Sequence, residues 1–268
     1  MTRTASLEQA ELAIIGAGCA GLSLARQLAR TEKTSSIKAC LYGPVSPAAT
    51  NRHSWGFWAT QGLKDQTELA RQRWHKWQII TAERKVTQTA DSHPYCRLDS
   101  RDWLTHCLNV IDGNIQQEPD SLPTPGAKPV FDSRPPNVPN GAMLQHFKGV
   151  EIKAAQPCFS PDTAILMDFR CDQSRGIHFI YLLPYSPTEA LVESTMLSPK
   201  RQNDEFYAEA IKTYLETYWA TGGWQVNHTE QGCIPMAFVQ PINLDYLAIG
   251  ANGGCVRPSS GYAFAFIQ

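Results

Sequence analysis

The sequence lacks a hydrophobic run long enough to cross a membrane as a helix. A spanning helix needs roughly 18 or more apolar residues in succession, and the best candidate, residues 12–25, is shorter and contains three glycines. The first nine residues are polar and carry both charge signs, unlike a secretory signal. These absences predict a cytoplasmic protein that is not secreted and does not span a membrane.

Neither sign of charge is in excess, and no pair of residues has the spacing of a metal site. Lys and Arg number 24 and Asp and Glu number 25, so the net charge is −1, which argues against a basic face for nucleic acid. The eight cysteines form no CxxC pair, and the seven histidines form no HxxxH or HExxH pair. We therefore expect free thiols, no metal site and no nucleic-acid partner.

A glycine-rich turn near the N-terminus stands between a predicted strand and a predicted helix. Residues 11–15 are typical of a buried strand, residues 22–30 have apolar side chains at helical spacing, and residues 37–42 are the next predicted strand. In this arrangement glycines permit a tight turn and let a phosphate approach the start of the helix. The pattern predicts a dinucleotide-binding motif formed by Gly16, Ala17, Gly18, Cys19, Ala20 and Gly21.

One residue of such a motif is missing, and an ordinary glycine turn is the alternative interpretation. An Asp or Glu usually ends the second strand, where it binds a ribose hydroxyl of the dinucleotide. Tyr42 and Gly43 stand at that place in this sequence. Either other groups hold the ribose, or the binding of adenosine is weakened.

The middle of the chain is predicted to form an antiparallel sheet. Strands that follow one another without intervening helices are typical of antiparallel pairing, and they are predicted at residues 143–153, 164–170, 176–183 and 190–196. Residues 204–219 have the periodicity of an amphipathic helix. Trp74 and Trp77 have the i, i+3 spacing of a helix, which favours positions in a core.

The predicted fold class is therefore mixed, α/β with α+β character. Hydrophobic residues make up 43% of the 268 residues and charged residues 18%, which is enough for two modest domains. We predict a Rossmann-type dinucleotide-binding domain from residues 1–140 and 230–268. An inserted antiparallel β-sheet domain for the substrate is predicted at residues 141–229.

Taken in order, the motifs resemble those of the FAD-dependent lycopene cyclases, in their bacterial β-cyclase form. The resemblance extends over residues 11–268, and the ordered set of motifs carries it rather than any single block. Besides the glycine turn and the Asp132-x-Arg134 strand end, it rests on blocks at residues 53–55, 144–151, 165–168, 179–188, 191–195, 232–236 and 257–262.

The resemblance implies an enzyme of carotenoid biosynthesis, an isomerase or intramolecular lyase. It implies a Rossmann-type domain that binds reduced FAD as a non-redox partner, with NAD(P)H as reductant, and cyclisation of the ends of lycopene, a linear carotenoid. Because such a substrate dissolves in membranes, peripheral contact with a membrane is implied as well. The flavin contacts that the resemblance implies are Arg101, Asp132, Gly250, Pro258 and Gly261.

Cyclisation of a polyene needs an acid that stays protonated at neutral pH, because it begins with protonation of a terminal double bond. Glu193 is the candidate, since it alternates with Leu191 and Thr195 in an apolar strand, where desolvation raises the pKa of a carboxyl group. A solvent-facing or ion-paired Glu is the alternative. Glu151 and Asp168 are assigned to the proton network or to stabilising the cation, with surface positions at a strand edge as the alternative.

Some positions depart from the pattern of the family that the chain resembles. Arg257 replaces a His before Pro258, and Ser194 stands where a second carboxylate is usual beside the catalytic Glu. Members of the family continue with helices beyond the point that corresponds to Gln268. We therefore expect the chain to be truncated at its C-terminus, without the helical region of the family.

Two other functions stay open at this point. An FAD-dependent monooxygenase or other oxidoreductase has the same architecture, but it typically carries Gly-Asp in the late loop, where this sequence has Gly250 and Ala251. That difference favours the cyclase. An inactive, truncated nucleotide-binding relic is the other alternative, supported by Tyr42 and by the early end of the chain.

Overall fold

The computed structural model describes residues 10–43, 51–111, 115–118, 122–126 and 128–268, and predictions for residues 1–9 and 44–50 lie outside these ranges. The strands are β1 (Leu12–Ile15), β2 (Ala39–Tyr42), β3 (Ser54–Trp58), β4 (Gln72–Trp74), β5 (Lys76–Ile80), β6 (Lys85–Thr89), β7 (Tyr95–Asp99), β8 (Ile115–Glu118), β9 (Val130–Asp132), β10 (Leu144–Ala154), β11 (Thr163–Asp168), β12 (Ile177–Pro184), β13 (Glu189–Ser198), β14 (Trp224–Pro235) and β15 (Leu247–Ala248). The helices are α1 (Cys19–Arg30), α2 (Lys64–Leu69), α3 (Ser100–Ile111), α4 (Asp204–Tyr218) and α5 (Phe264–Ile267). Among the helices in these ranges, none is long and apolar enough to cross a membrane.

The described chain divides into two units. The first takes its residues from 1–55, 98–139 and 238–268, and the second from 56–97 and 140–237. The division predicted from the sequence placed residues 56–97 and 230–237 with the dinucleotide-binding segments, whereas both belong to the second unit. The reason is strand pairing across a long stretch of sequence, because β5 runs beside β11, β6 beside β5 and β14 beside β10.

The first unit is built on a sheet with the strand order β15-β9-β1-β2-β8. All its pairings are parallel. β1 and β2 are apolar and buried at every position, as is usual for strands inside a parallel sheet. α1 connects these two strands and packs against α3. The strand, glycine turn, helix and strand predicted from the sequence are therefore present, although α1 begins at Cys19 rather than at residue 22.

The second unit is built on a seven-stranded sheet with the order β14-β10-β13-β12-β11-β5-β6. Its pairings are antiparallel except for the one between β11 and β5, which is parallel. α4 covers one face, where Tyr214 and Leu215 pack with Ile180 and Val192 of the sheet. Because side chains alternate along a strand, residues 191, 193 and 195 of β13 point to the opposite face, which we call the distal face.

Several strands give no clear signal in the sequence. β14 lies at the edge of the seven-stranded sheet and is polar at most positions, so no apolar alternation marks it. The helical spacing of Trp74 and Trp77 was misleading, because these residues lie in β4 and β5. Trp74 is nevertheless a core residue, fully buried, and its indole N–H donates to the carbonyl oxygen of Pro184 at 3.1 Å.

Candidate active site

The glycine turn lies at the carboxyl edge of the parallel sheet, between β1 and α1. Gly16 has a φ of +95°, and its N–H donates to the carbonyl oxygen of Tyr42 at 2.8 Å. A Cβ on Gly16 would collide with the hydroxyl of Ser133, and a Cβ on Gly21 would collide with the carbonyl oxygen of Gly16. These two positions therefore require glycine, the first for the turn and the second for close packing of α1.

Gly18 differs from these two glycines because the space beside it is open. Among the described residues, none apart from its two chain neighbours has an atom within 4 Å of the point where a Cβ on Gly18 would stand. Gly18 is the N-cap of α1, and the first turn of this helix, which starts with Cys19 and Ala20, has no acidic residue. Backbone N–H groups in the first turn of a helix have no partner inside the helix and attract anions. The turn therefore has the room and the polarity that a pyrophosphate needs.

The late glycine loop packs against the start of α1. Gly250 has a φ of +62°, and a Cβ on it would lie 2.6 Å from the Cβ of Ala20. Asn252, which the sequence analysis did not single out, is 1% exposed. Its amide donates to the carbonyl oxygen of Asp132 at 3.1 Å, and its Oδ1 accepts from the N–H of Ile242 at 3.0 Å. Asn252 thus links the late loop to the end of β9 and to the backbone at Ile242.

Asp132 lies at the end of β9, in register with Ile15 at the end of β1. Its carboxylate is completely buried, and it accepts from Nε of Arg134 at 2.9 Å and from Nη2 at 2.7 Å. This bidentate pair explains the Asp-x-Arg spacing. Asp132 therefore lies close to the predicted dinucleotide motif, with its carboxylate oxygens engaged in orienting Arg134.

The other predicted flavin contacts occupy a helix start and a loop of the first unit. Arg101 is exposed in the first turn of α3, and its backbone N–H donates to Oδ1 of Asp99 at 3.0 Å. Pro258 is exposed, and Gly261 is buried with a φ of +72°. The N–H of Gly261 donates to the carbonyl oxygen of Arg257 at 2.8 Å, so Gly261 closes the tight turn that contains Pro258.

Glu193 lies on the distal face of the second unit, in the middle of β13. Only 9% of the residue is exposed, and the hydroxyl of Thr195 donates to its Oε1 at 2.7 Å. Burial raises the pKa of Glu193 from 4.5 to about 8, and the charge of Glu230 on β14 adds to the increase. The side chain is thus a carboxylic acid that keeps its proton near neutral pH, as predicted for an acid catalyst.

Glu151 of β10 lies on the same face and is held by an ion pair. Arg97 of β7 donates to Oε1 of Glu151 from a site where only 3% of the arginine is exposed. The hydroxyl of Tyr185 donates to the same oxygen at 3.1 Å, and the guanidinium of Arg97 lies 4.6 Å from the centre of the Tyr185 ring. Burial raises the pKa of the Tyr185 phenol, so it stays a donor. The structure therefore places Glu151 and Glu193 on one face.

Asp168 is separated from these two acids, because it lies on the face that α4 covers. It is completely buried, and its carboxylate accepts from Arg170 at 2.6 Å and from the hydroxyl of Tyr214 at 2.9 Å. The predicted set of three carboxylates is thus divided between two faces of the sheet. In the part of the chain that the structure describes, no His, Cys, Asp and Glu side chains are grouped so as to hold a metal ion.

Comparison with known proteins gives the family of the chain. The family model described as "Lycopene cyclase protein" matches residues 11–113 and 120–268. This chain belongs to the lycopene cyclase family. A relative, the lycopene beta-cyclase of Pantoea ananas, is 26% identical over 279 aligned residues, which cover 94% of this chain and 70% of that protein.

Solved structures with the same fold come from other enzymes. A geranylgeranyl bacteriochlorophyll reductase-like protein from Thermoplasma acidophilum matches with a TM-score of 0.71 and 12% identity, over 96% of this chain and 74% of that chain. A flavin-dependent halogenase from Xanthomonas campestris matches with a TM-score of 0.62 and 9% identity, over 97% and 69% of the two chains. The fold class is confirmed as mixed α/β with a Rossmann-type domain and an added sheet.

Ser194, the residue after the candidate acid, faces away from Glu193. It stands where the resemblance led us to expect a second carboxylate. Ser194 points toward α4, and its hydroxyl is hydrogen-bonded to Nε2 of His178 at 2.8 Å. Alternation along β13 places consecutive residues on opposite faces. A carboxylate at position 194 would therefore lie on the face under α4 and not beside Glu193. Having serine there instead of a carboxylate does not change the distal face.

The sequence analysis missed Glu230, the second carboxylate next to Glu193. Glu230 is 4% exposed and lies in β14, the strand that was not predicted. The only available signal was its place two residues before Gly232, at the start of a block that resembles the cyclases. Without the register of β14, that signal does not show which other acid Glu230 lies near.

Proposed function

We propose that this chain catalyses the acid-initiated cyclisation of the ends of a linear carotenoid, with Glu193 as the acid. The observation that carries the proposal is the burial of this carboxyl in the middle of β13, which raises its pKa to about 8. Family membership supports the reaction class, since the relative from Pantoea ananas is a lycopene beta-cyclase. Glu151 and Arg97 form an ion pair on the same face, so they add no net charge beside Glu193.

In the first step, the O–H bond of Glu193 breaks and its proton forms a C–H bond with the π electrons of the terminal double bond. The π electrons of a second double bond then attack the resulting carbocation and form the C–C bond that closes the ring. A ring carbon then loses a proton to the carboxylate of Glu193, which returns to its acid form, and the electrons of the broken C–H bond form the new double bond. No electrons are gained or lost overall. The carboxylate left on Glu193 stabilises the cation through its negative charge.

We propose reduced FAD as the partner of this reaction, with NAD(P)H as reductant. Reduced flavin supplies negative charge that stabilises a nearby carbocation. The residues present fit its pyrophosphate, because Gly18 leaves open space at the start of α1 while Gly16, Gly21 and Gly250 allow close packing around the turn. Position 42 has no carboxylate that could bind the ribose. It is occupied by Tyr42, whose side chain packs in the core with Ile15.

The decisive experiment is an anaerobic incubation of the chain with FAD, NADPH and lycopene in phosphatidylcholine vesicles. We expect a ring-containing product, and we expect Glu193→Gln to lower the rate by about 10²-fold or more, the range typical of a general acid. Glu189→Gln is the matched control, a half-buried Glu on the same strand and face. A fully active Glu193→Gln variant would exclude Glu193 as the acid.

The same incubation separates the alternatives. NADPH consumption that needs oxygen and gives no ring product would indicate an oxidoreductase, and the absence of both bound flavin and product would indicate an inactive relic. Peripheral membrane contact is part of the proposal, and Phe238 and Leu244 of the first unit offer apolar side chains that are 88% and 83% exposed. Sedimentation of the chain with the vesicles measures that contact.

A further inference from the structure

The strand register of the second unit places one glycine between two buried acids. Gly149 of β10 is paired with Glu193 of β13 on one side and with Glu230 of β14 on the other. All three residues therefore lie in one row across the sheet, with their side-chain directions on the distal face. Two acids in such a row are normally separated by the side chain of the middle strand, and here that side chain is absent.

Gly149 is favoured by limited space and not by backbone conformation. Its φ is not in the left-handed region, so any residue could adopt this extended backbone. A Cβ at position 149 would stand 3.1 Å from Cδ1 of Leu191, 3.2 Å from Cγ of Glu230 and 3.4 Å from Cβ of Glu193. A glycine inside a strand weakens the strand unless something approaches closely. The side chains of Leu191, Glu230 and Glu193 all approach Gly149.

Other titratable and charged groups share this face with the two acids. Arg97 is engaged in the ion pair with Glu151, and the phenol of Tyr185 donates to Glu151. The side chains that face Glu193 from the neighbouring elements are Glu151 of β10, Tyr181 of β12, Tyr185 after β12, Glu230 and His228 of β14, and Arg97 of β7. Among these groups, the charge of Glu230 is the one that raises the pKa of Glu193.

We propose that Glu193 and Glu230 form a carboxyl pair across Gly149 that holds one proton between them. Burial already favours the protonated form of Glu193, and because two carboxylates in a buried site cannot both ionise readily, the negative charge of Glu230 adds to this preference. Glu230 is then a positioning residue, which sets the protonation state of the acid without touching the substrate. The catalytic consequence rests on the proposed function, whereas the pairing itself does not.

The pairing is tested by titration of the chain with ¹³C-labelled Glu carboxyl groups, followed by NMR. The Glu193→Gln and Glu230→Gln spectra assign the two signals. In the parent we expect two coupled titration steps, and in Glu230→Gln a single step for Glu193 that is lower by about one pH unit or more. Glu189→Gln, on the same strand and face, is expected to leave the Glu193 signal unchanged. If Glu193 titrates alike in the parent and in Glu230→Gln, burial alone explains its protonation and the pair is refuted.

Two features keep this test decisive. Coupling is reciprocal, so if Glu230→Gln does not fold, the titration of Glu230 in Glu193→Gln answers the same question. The titration needs neither flavin nor carotenoid, so an inactive parent would contradict the proposed function and leave the pair standing. In an active enzyme, Glu230→Gln is expected to move the high-pH limb of the kcat profile downward by about one unit. A limb that stays in place, as in Glu189→Gln, would exclude the catalytic consequence.

Discussion

Two buried acids on opposite faces of the seven-stranded sheet, Asp168 and Glu193, have contrasting surroundings. On the face that α4 covers, the carboxylate of Asp168 is matched by Arg170 and by the hydroxyl of Tyr214. On the distal face, Glu193 has the hydroxyl of Thr195 and the like charge of Glu230 for neighbours. Alternate positions along the strands supply both environments, so one hydrogen-bonded sheet gives Asp168 a matching partner and places Glu193 beside a like charge.

This contrast shows that one sheet can hold a charge-matched acid on one face and a protonated acid on the other. A buried charge with an opposite partner adds to the integrity of the fold, and removing the partner is destabilising. A buried acid without one keeps its proton and is ready to transfer it, which lowers stability once the pH favours ionisation. Substitutions of Asp168 and of Glu193 should therefore change the free energy of unfolding in opposite directions. Three substitutions test this expectation.

The largest effect is expected from Glu193→Gln on stability at high pH. The pKa of Glu193 is about 8 in the folded protein against 4.5 ordinarily, so the free energy of unfolding falls as pH rises from about 4.5 to about 8. The glutamine variant lacks this loss, and at pH 9 it should be more stable than the parent by roughly 5 kcal/mol. Urea denaturation at pH 5 and pH 9 measures the difference.

Comparing the parent with the variant isolates the contribution of Glu193 to the pH dependence of stability from that of the other titrating groups. The pKa values of His146 and His178, which burial lowers, affect both proteins equally. Glu189→Gln should keep the pH dependence of the parent, because Glu189 lies at the half-buried start of β13. Equal stability of parent and Glu193→Gln at both pH values would show that this carboxyl is not desolvated.

A smaller effect of opposite sign is expected from Asp168→Ala on the face under α4. The substitution leaves Arg170 and the buried hydroxyl of Tyr214 without their acceptor. We expect a loss of about 2–3 kcal/mol in the free energy of unfolding, less than for a fully buried pair because Arg170 is 27% exposed. Glu209→Ala on the exposed side of α4 is the control. A stable but inactive Asp168→Ala variant would instead place this acid in the chemistry.

The smallest effect is expected from Ser194→Ala, one position away from the acid. It removes the hydrogen bond to Nε2 of His178, a residue that is 1% exposed, and should lower the free energy of unfolding by about 1–2 kcal/mol. Because Ser194 points away from the distal face, the rate of cyclisation should change less than twofold. Ser160→Ala, at an exposed position, provides the reference. A large loss of rate in Ser194→Ala would contradict the separation of the two faces.

Patterns of residues near one another in sequence were enough to predict much of the fold. The glycine turn between β1 and α1 follows from local spacing, and four strands and α4 follow from apolar periodicity. β14 was missed because an edge strand does not need apolar alternation, and β5 was missed because its partner β11 lies about ninety positions further along the chain. Glu230 was missed with β14, since a polar segment gives no reason to choose one acid over another.

The sequence by itself determined the family pattern, the dinucleotide motif and the choice of Glu193. The motif and the choice of Glu193 depend on residue types at short separations, which backbone geometry and alternation impose, and the family pattern depends on the order of such motifs along the chain. Only the tertiary structure decided that Asp168 faces α4, that Glu151 is bound by Arg97, and that Glu230 lies across Gly149 from Glu193. Strand register decided these relations, because shifting a strand by one residue moves all of its side chains to the other face.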